Sequence, residues 1–106
     1  MQETPNLNYI KELSGDDKTF EQKFIQILKD EFPVEQRTYI DHIERDEPRM
    51  AGELVHKLKH KFNILSMSEA YEYAIQYEEE LRAGGTKGDA GFRSILETIK
   101  NYLNTI

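Results

Sequence analysis

The stretch Glu53-Leu-Val-His-Lys-Leu-Lys-His-Lys-Phe-Asn-Ile-Leu65 has the periodicity of an amphipathic helix. When each residue advances about 100° around a helix, the apolar residues in and just before this stretch fall within an arc of roughly 100°. They are Ala51, Leu54, Val55, Leu58, Phe62 and Leu65. This arc predicts a helix that turns one face toward a hydrophobic core.

The opposite face of the same helix carries histidine and lysine. His56 points roughly 150° away from the centre of the apolar arc, which predicts an imidazole exposed to solvent. The residues on its side of the helix are Gly52, Lys59, His60 and Asn63. Three lysines lie within five residues of His56, although the chain has a formal net charge of -6. That contrast indicates an anion-binding site.

Length and composition predict one globular domain spanning residues 1–106. Charged residues make up 32% of the chain and apolar residues 38%, which is too apolar for intrinsic disorder. There are no cysteines, so disulfides and thiolate metal sites are excluded. No apolar run is long enough for membrane insertion and no signal-peptide pattern is seen, so we expect a cytoplasmic protein. The pI of about 5.1 argues against nucleic acid as the main partner.

The beginning of the chain predicts a tail and then a short helix. We expect residues 1–6 to be the tail and Ser14-Gly15 to end the helix. The apolar residues of this helix are Leu7, Ile10 and Leu13. A helix of this length is not stable alone, so it should pack on something larger.

A long helix is expected next, capped by Asp16 or Asp17. Its apolar positions are Phe20, Phe24, Ile27, Leu28, Phe32, Tyr39, Ile40 and Ile43. Pro33 interrupts the pattern, which then resumes in phase, so we expect one kinked helix that ends near Arg45. Asp46-Glu47-Pro48 marks the boundary before the helix that contains His56.

Two further helices are expected in the second half of the chain. Residues 66–69 have the spacing of a capping box for the first of them, and residues 78–80, all glutamate, are expected to be a solvated face. Its inward positions would be Met67, Ala70, Tyr71, Ala74, Ile75 and Leu81. Gly84-Gly85 stops this helix. The last helix has the apolar positions Phe92, Ile95, Leu96, Ile99, Tyr102, Leu103 and Ile106.

Together these patterns predict an all-α fold. Four long amphipathic helices with short connections are typical of an antiparallel four-helix bundle, here with an additional short N-terminal helix on one end. No strand pattern is seen in the sequence. The apolar stripe of each helix can be buried within one chain, so we expect a monomer.

The chain resembles the histidine-containing phosphotransfer (HPt) domains of bacterial and eukaryotic phosphorelays. The signature helix of that family has a histidine, two further positions and a lysine, usually followed by glycine, and ends at a leucine-glycine pair. Val55-His56-Lys57-Leu58-Lys59 is similar to the start of this signature, and Leu65 matches its later leucine. The stretch from Tyr9 to Asp16, Phe20 and the pair Phe32-Pro33 are also similar to the family, so the likeness extends across essentially the whole chain.

The resemblance implies that His56 accepts a phosphoryl group from an aspartyl phosphate on a response-regulator receiver domain and passes it to another receiver. A hybrid sensor histidine kinase is a further implied partner, and Lys59 is assigned the electrostatic support of the phosphoryl group. The implied protein is a phosphocarrier without kinase activity or a cofactor of its own. The residues fit this chemistry, because a neutral imidazole is a good nucleophile near pH 7. Lys57 and Lys61 are expected to be solubilising and steering charges.

Two positions depart from the family pattern. His60 stands where the family usually has glycine, and Ser66 stands where a second glycine is common. One turn after His56, His60 can act as a second donor to the phosphoryl group. In an alternative reading His60 blocks the chemistry, and the chain is a non-catalytic helical module that binds receivers or other signalling proteins without transfer.

A metal-binding bundle is a further alternative. His56 and His60 have the i, i+4 spacing of a metal-ligand pair, and Glu53 precedes His56 by three residues. A carboxylate-bridged centre needs a second Glu-x-x-His and more inward glutamates, which the chain lacks, so we expect no metal site. The loop at residues 84–88 has glycines without the Walker spacing, so no nucleotide site is expected either.

Overall fold

The computed structural model describes residues 3–106, and all regular structure in this range is helical. The elements are α1 (Asn8–Ser14), α2 (Lys18–Glu44), α3 (Pro48–Ile64), α4 (Ser68–Arg82) and α5 (Asp89–Leu103). α2 contacts α1, α3 and α5, and α4 contacts α3 and α5. The contacts among the four longer helices therefore form a closed ring, and the prediction of an all-helical fold is confirmed.

The long second helix continues through its proline. Its first turn is capped by Asp17, whose carboxylate accepts a hydrogen bond from the backbone N–H of Phe20 at 3.0 Å. Pro33 has no N–H, so the carbonyl of Lys29 loses its helical partner, but the helix does not end there. α2 reaches Glu44, which agrees with the single long helix expected from the sequence.

The hydrophobic core receives side chains from all five helices. The predicted apolar face of α3 is buried along its whole length, with no residue of it more than 8% exposed. Five of the seven core positions predicted for the last helix are buried, namely Phe92, Ile95, Leu96, Ile99 and Leu103, and the other two, Tyr102 and Ile106, are half-buried. For the apolar residues of these two helices, the angular pattern of the sequence predicted the buried face.

Three apolar residues that were expected to face the core are exposed instead. Leu13 and Ile27 are each 52% exposed and Phe20 is 42% exposed. Glu21 and Ile25 take the inward positions on the first turns of α2. The buried face of α2 lies roughly 100° around the helix from Phe20, because the large aromatic residues of its C-terminal half fix the rotation of the whole rigid helix.

The N-terminal segment is attached to α4, so the prediction of a tail is wrong for the described residues from Glu3 onward; residues 1 and 2 lie outside the described range. The Glu3 carboxylate accepts hydrogen bonds from the backbone N–H groups of Glu69 and Ala70, both at 2.9 Å. The predicted capping box is not formed, because the N-cap of α4 is Met67 and has no side-chain capping bond. A distant glutamate satisfies the free N–H groups instead and complements the helix dipole.

A buried polar network joins α2, α4 and the start of α5. The Tyr39 hydroxyl donates to Asp89 Oδ1 at 2.5 Å and lies 2.6 Å from the Tyr77 hydroxyl. Arg93 Nε donates to both carboxylate oxygens of Asp89, at 3.1 and 3.0 Å. Burial is the main cause that raises the pKa of Tyr39, and it also raises the pKa of Tyr77 to about 12. Both hydroxyls are therefore protonated at neutral pH and hold α5 in place.

The turn between α3 and α4 contains a residue in the left-handed region. Ser66 has a φ of 63°. This conformation costs an L-residue with a Cβ roughly 1–2 kcal/mol, whereas glycine adopts it readily. The position is the second of the two at which the sequence departs from the HPt pattern.

Replacing Ser66 with glycine should therefore raise the free energy of unfolding by about 0.5–1 kcal/mol. The relief of left-handed strain exceeds the additional entropy that glycine gives to the unfolded chain. Urea unfolding at pH 7 measures the change, with Ser66→Ala as a control that keeps the Cβ and should leave stability nearly unchanged. A loss of stability in the glycine variant would contradict this reading of the turn.

Candidate functional site

Helices α3 and α4 approach each other closely at Gly52. A methyl group on Gly52 would lie 3.5 Å from Leu81 Cβ and 3.7 Å from Arg82 Cγ. Gly52 is buried, which corrects its expected place on the solvent side of α3. Because no side chain separates the two helices here, an α4 residue one turn away can reach the part of α3 that carries His56.

That residue is Glu78, whose carboxylate joins three nitrogen-bearing side chains. Lys59 Nζ donates to Oε1 at 2.9 Å, and Arg82 donates to Oε2 from Nη2 at 2.8 Å and from Nε at 3.1 Å. His56 Nδ1 lies 3.3 Å from Oε1 and 3.2 Å from Oε2. We refer to His56, Lys59, Glu78 and Arg82 as the Glu78 cluster. The Glu78 side chain is only 10% exposed, so its predicted place on a solvated face is wrong.

The contact with Glu78 determines which nitrogen of His56 carries the proton in the neutral ring. An ionised carboxylate only accepts hydrogen bonds, so Nδ1 carries the proton in this contact. In the neutral ring the lone pair is then on Nε2. The His56 side chain is 51% exposed, and no residue in the described range hydrogen-bonds to Nε2. Within residues 3–106, the nitrogen with the lone pair is thus free of hydrogen bonds.

The Glu78 carboxylate is ionised despite its burial. Burial disfavours the charged form, but the hydrogen bonds from Arg82 and Lys59 outweigh this effect and hold the pKa of Glu78 below its usual value. Glu78 contributes one negative charge and Lys59 and Arg82 contribute two positive charges, so these three side chains have a net charge of +1 before the imidazole is counted. In an acidic protein this is a local positive centre, as an anion site requires.

The lysines of α3 have different surroundings. Lys59 is 14% exposed and belongs to the Glu78 cluster. Lys61 was expected to be a solubilising charge, but it is buried and donates to Glu31 at 3.0 Å and to Glu35 at 3.1 Å. Lys61 therefore joins α3 to α2, because its long side chain can reach carboxylates on the neighbouring helix. Lys57 is exposed.

His60 lies at the outer rim of the site. Its ring centroid is 5.2 Å from that of His56, and the two ring planes meet at 87° in an edge-on contact. From this position the imidazole can either donate to a group bound on His56 or obstruct a partner that approaches it. Within residues 3–106, no three histidine, aspartate or glutamate side chains are grouped as a metal site would require.

Comparison of the chain with protein-family models, with curated proteins and with solved structures gave no match. Across residues 3–106, none of the helices combines the length and the apolar character needed to cross a bilayer.

Two of the four residues in the cluster were missed by the sequence interpretation. The structure brings the predicted His56 and Lys59 together with Glu78 and Arg82 of α4. Signals for both were present, because Glu78 and Arg82 have the i, i+4 spacing of a helical ion pair. Glu78 also lies roughly 40° from the buried Ala74 on a helical wheel. Glu78 was assigned to the solvated face because it is the first of three consecutive glutamates.

Replacing Glu78 with glutamine should lower the free energy of unfolding at pH 7 by about 1–3 kcal/mol, since charge-assisted hydrogen bonds are lost and Lys59 stays partly buried. The pKa of Glu78 is lower in the folded state than its usual value of 4.5. The stabilisation by its ionised carboxylate is therefore fully present above pH 4.5 and is lost as the pH falls through the folded-state pKa. Wild type and Glu78→Gln should therefore differ at pH 7 and converge below pH 4.5.

Urea unfolding across this pH range measures both effects. Glu79→Gln is the matched control, because Glu79 is exposed on the same helix and its substitution should change stability little. A stability difference for Glu78→Gln that persists unchanged into acid would show that the carboxylate is not an ionised partner in the folded protein.

Proposed function

We propose that the chain is a histidine phosphotransfer domain, built as an antiparallel four-helix bundle with α1 as an additional short helix. His56 accepts a phosphoryl group from an aspartyl phosphate on a response-regulator receiver domain and passes it to another receiver. The closed ring of contacts among α2, α3, α4 and α5 supports the bundle. The observation that carries the function is an exposed imidazole whose Nδ1 faces a buried, ionised carboxylate.

The transfer forms one bond and breaks another. The lone pair on His56 Nε2 attacks phosphorus, a P–N bond forms, and the P–O bond to aspartate breaks as the carboxylate leaves with the electron pair. The ring keeps its Nδ1 proton and becomes a positively charged phosphoimidazolium. Glu78, 3.2 Å from Nδ1, stabilises this charge. Transfer onward to a second receiver reverses the same steps.

Lys59 and Arg82 have donors left for the phosphoryl oxygens. Lys59 uses one of its three N–H groups for Glu78, and the ammonium can use another for the phosphoryl group. Arg82 binds Glu78 through Nε and Nη2, and its side chain is 54% exposed. Neither cation has to leave the carboxylate to contact the phosphoryl group, so the positive charge is already oriented before a partner binds.

This function belongs to cytoplasmic two-component signalling. The partners it requires are receiver domains, with a hybrid sensor histidine kinase as a further source of the phosphoryl group. The receiver would supply the magnesium ion and the acidic pocket around its aspartate. The chain itself supplies a nucleophile, a carboxylate that orients it and the nearby cations.

His60 favours a second candidate function, a helical module that binds receivers or other signalling proteins without transfer. Its ring stands edge-on to His56, at the position where a glycine would leave space for the active site of a partner. In that case His60→Gly should increase phosphate uptake strongly. If His60 donates to the phosphoryl group, the same substitution should decrease uptake.

Wild-type protein incubated with a receiver domain and a radiolabelled phosphoryl donor should acquire an acid-labile label. His56→Gln should abolish the label while the melting temperature stays nearly unchanged, because an exposed side chain contributes little to stability. His60→Gln makes the same chemical change one turn away and should still take up label. A folded wild type that gains no label from several receivers would exclude phosphotransfer in favour of the binding module.

Lys59→Ala should slow phosphoryl transfer by roughly a hundredfold to a thousandfold, the scale of losing one preoriented donor. Lys57→Ala removes the same charge from an exposed position outside the Glu78 cluster and should slow transfer much less. Single-turnover transfer from a phosphorylated receiver gives both rates. Equal rates for the two variants would mean that Lys59 acts only through the overall charge of the helix.

A further inference from the structure

A groove of about 400 Å³ lies between α2 and α3. Val34, which is 64% exposed, and Leu54, which is 8% exposed, give it apolar walls. Asp30, Glu31 and Glu35 line it with carboxylates. A surface of this kind suits a side chain that has an apolar stem and a cationic head.

The groove contains a carboxylate oxygen that the protein leaves without a partner. Lys61 Nζ donates to Glu35 Oε2 at 3.1 Å, whereas Glu35 Oε1 is buried and has no hydrogen bond in the described part of the chain. Buried carboxylate oxygens without a partner are unfavourable. The terminal torsion of a glutamate is soft, and a rotation that exposes Oε1 to the groove also moves Oε2. Lys61 can retain its bond to Glu31, at 3.0 Å, during this rotation.

The charges around the groove sum to a net negative charge, which one more cation would balance. Its three carboxylates carry three negative charges, Lys57 lines the groove with one positive charge, and the Lys61 ammonium binds Glu31 and Glu35. The sum is one negative charge in excess. Lys57 makes no hydrogen bond to another residue in the range 3–106. The Glu31 side chain is 55% exposed, so a cation from solvent can reach its carboxylate.

We propose that this groove binds an arginine side chain from a partner protein. The aliphatic stem lies along Val34 and Leu54, and the guanidinium donates to Glu35 Oε1. Arginine fits better than lysine, because its planar fork can donate to Glu35 and Glu31 at the same time and is desolvated more easily than an ammonium. The groove thus selects partners that carry an arginine beside their contact with α3.

The place of the groove connects it with the candidate site. Lys57 on the groove wall directly follows His56 in α3 and points roughly 100° around the helix from it, so the groove lies on the face next to the one that carries His56. The proposal does not depend on the phosphorylation of His56. In this proposal the groove recognises a partner, whereas the Glu78 cluster orients the imidazole of His56.

Titration with n-butylguanidinium, followed through the methyl NMR signals of Val34 and Leu54, tests the groove directly. We expect saturable shifts at both residues, and no saturation with n-pentanol, which has the stem without the charge. Glu35→Gln should weaken binding by about tenfold to a hundredfold, the loss of one charge-assisted hydrogen bond. Asp41→Asn makes an equal charge change at an exposed α2 position outside the groove and should bind as wild type does.

Val34→Ser provides a second variant whose folding is not in question, because Val34 is exposed; it should also weaken binding. His56→Gln should bind the probe as wild type does, which separates this proposal from the fate of the phosphotransfer function. The absence of saturable shifts at Val34 and Leu54, or equal binding by Glu35→Gln, would overturn the proposal. If the probe binds Lys57→Ala but not the wild type, the Lys57 ammonium itself occupies the groove in the wild type. That result would also overturn the proposal.

Discussion

The close contact of α3 with α4 at Gly52 is the constraint on which the site depends. It brings a carboxylate of α4 beneath the exposed face of α3, where water cannot fully solvate it. An isolated carboxylate in such a place would take up a proton. The hydrogen bonds from Lys59 and Arg82 keep Glu78 ionised, and only an ionised Glu78 can fix the Nδ1 proton of His56. The pKa of Glu78 and the position of the proton on the neutral His56 ring thus both follow from this one contact between helices.

Stability alone does not explain the Glu78 cluster. A buried ion pair often stabilises a protein no more than an apolar residue of similar volume, because desolvation offsets most of the Coulomb attraction. A leucine at position 78 could fill the same interface without ordering Lys59 and Arg82. What the carboxylate adds is direction: it orients the imidazole, sets its tautomer and holds two cations beside it. These properties are useful for phosphoryl transfer, in which positioning and charge stabilisation do most of the work.

The sequence predicted those features of the fold that depend on local periodicity. The buried faces of α3 and α5 were correct because three or four turns of apolar spacing determine them without reference to other helices. The rotation of α2 was wrong around Phe20, because contacts made many turns away fix it. The cap of α4 was wrong because Glu3 comes from a segment more than sixty residues distant, and no local pattern shows it.

The same difference between local patterns and contacts with distant residues applies to the site. His56, Lys59 and His60 were predicted from one helix and a family resemblance, and the structure places them on one surface. Glu78 and Arg82 were missed because a buried charge is visible only when its partners on another helix are known. Phosphotransfer itself stays a prediction that the geometry supports.

The most direct measurement is a long-range ¹H–¹⁵N correlation of the His56 ring, before and after incubation with a phosphorylated receiver domain. The unphosphorylated neutral ring should carry its proton on Nδ1, and phosphorus should then attach to Nε2 while Nδ1 stays protonated. A ring protonated on Nε2, or phosphorus on Nδ1, would show that Glu78 does not select the reactive nitrogen. Phosphorus on a different residue would contradict the assignment of His56 itself.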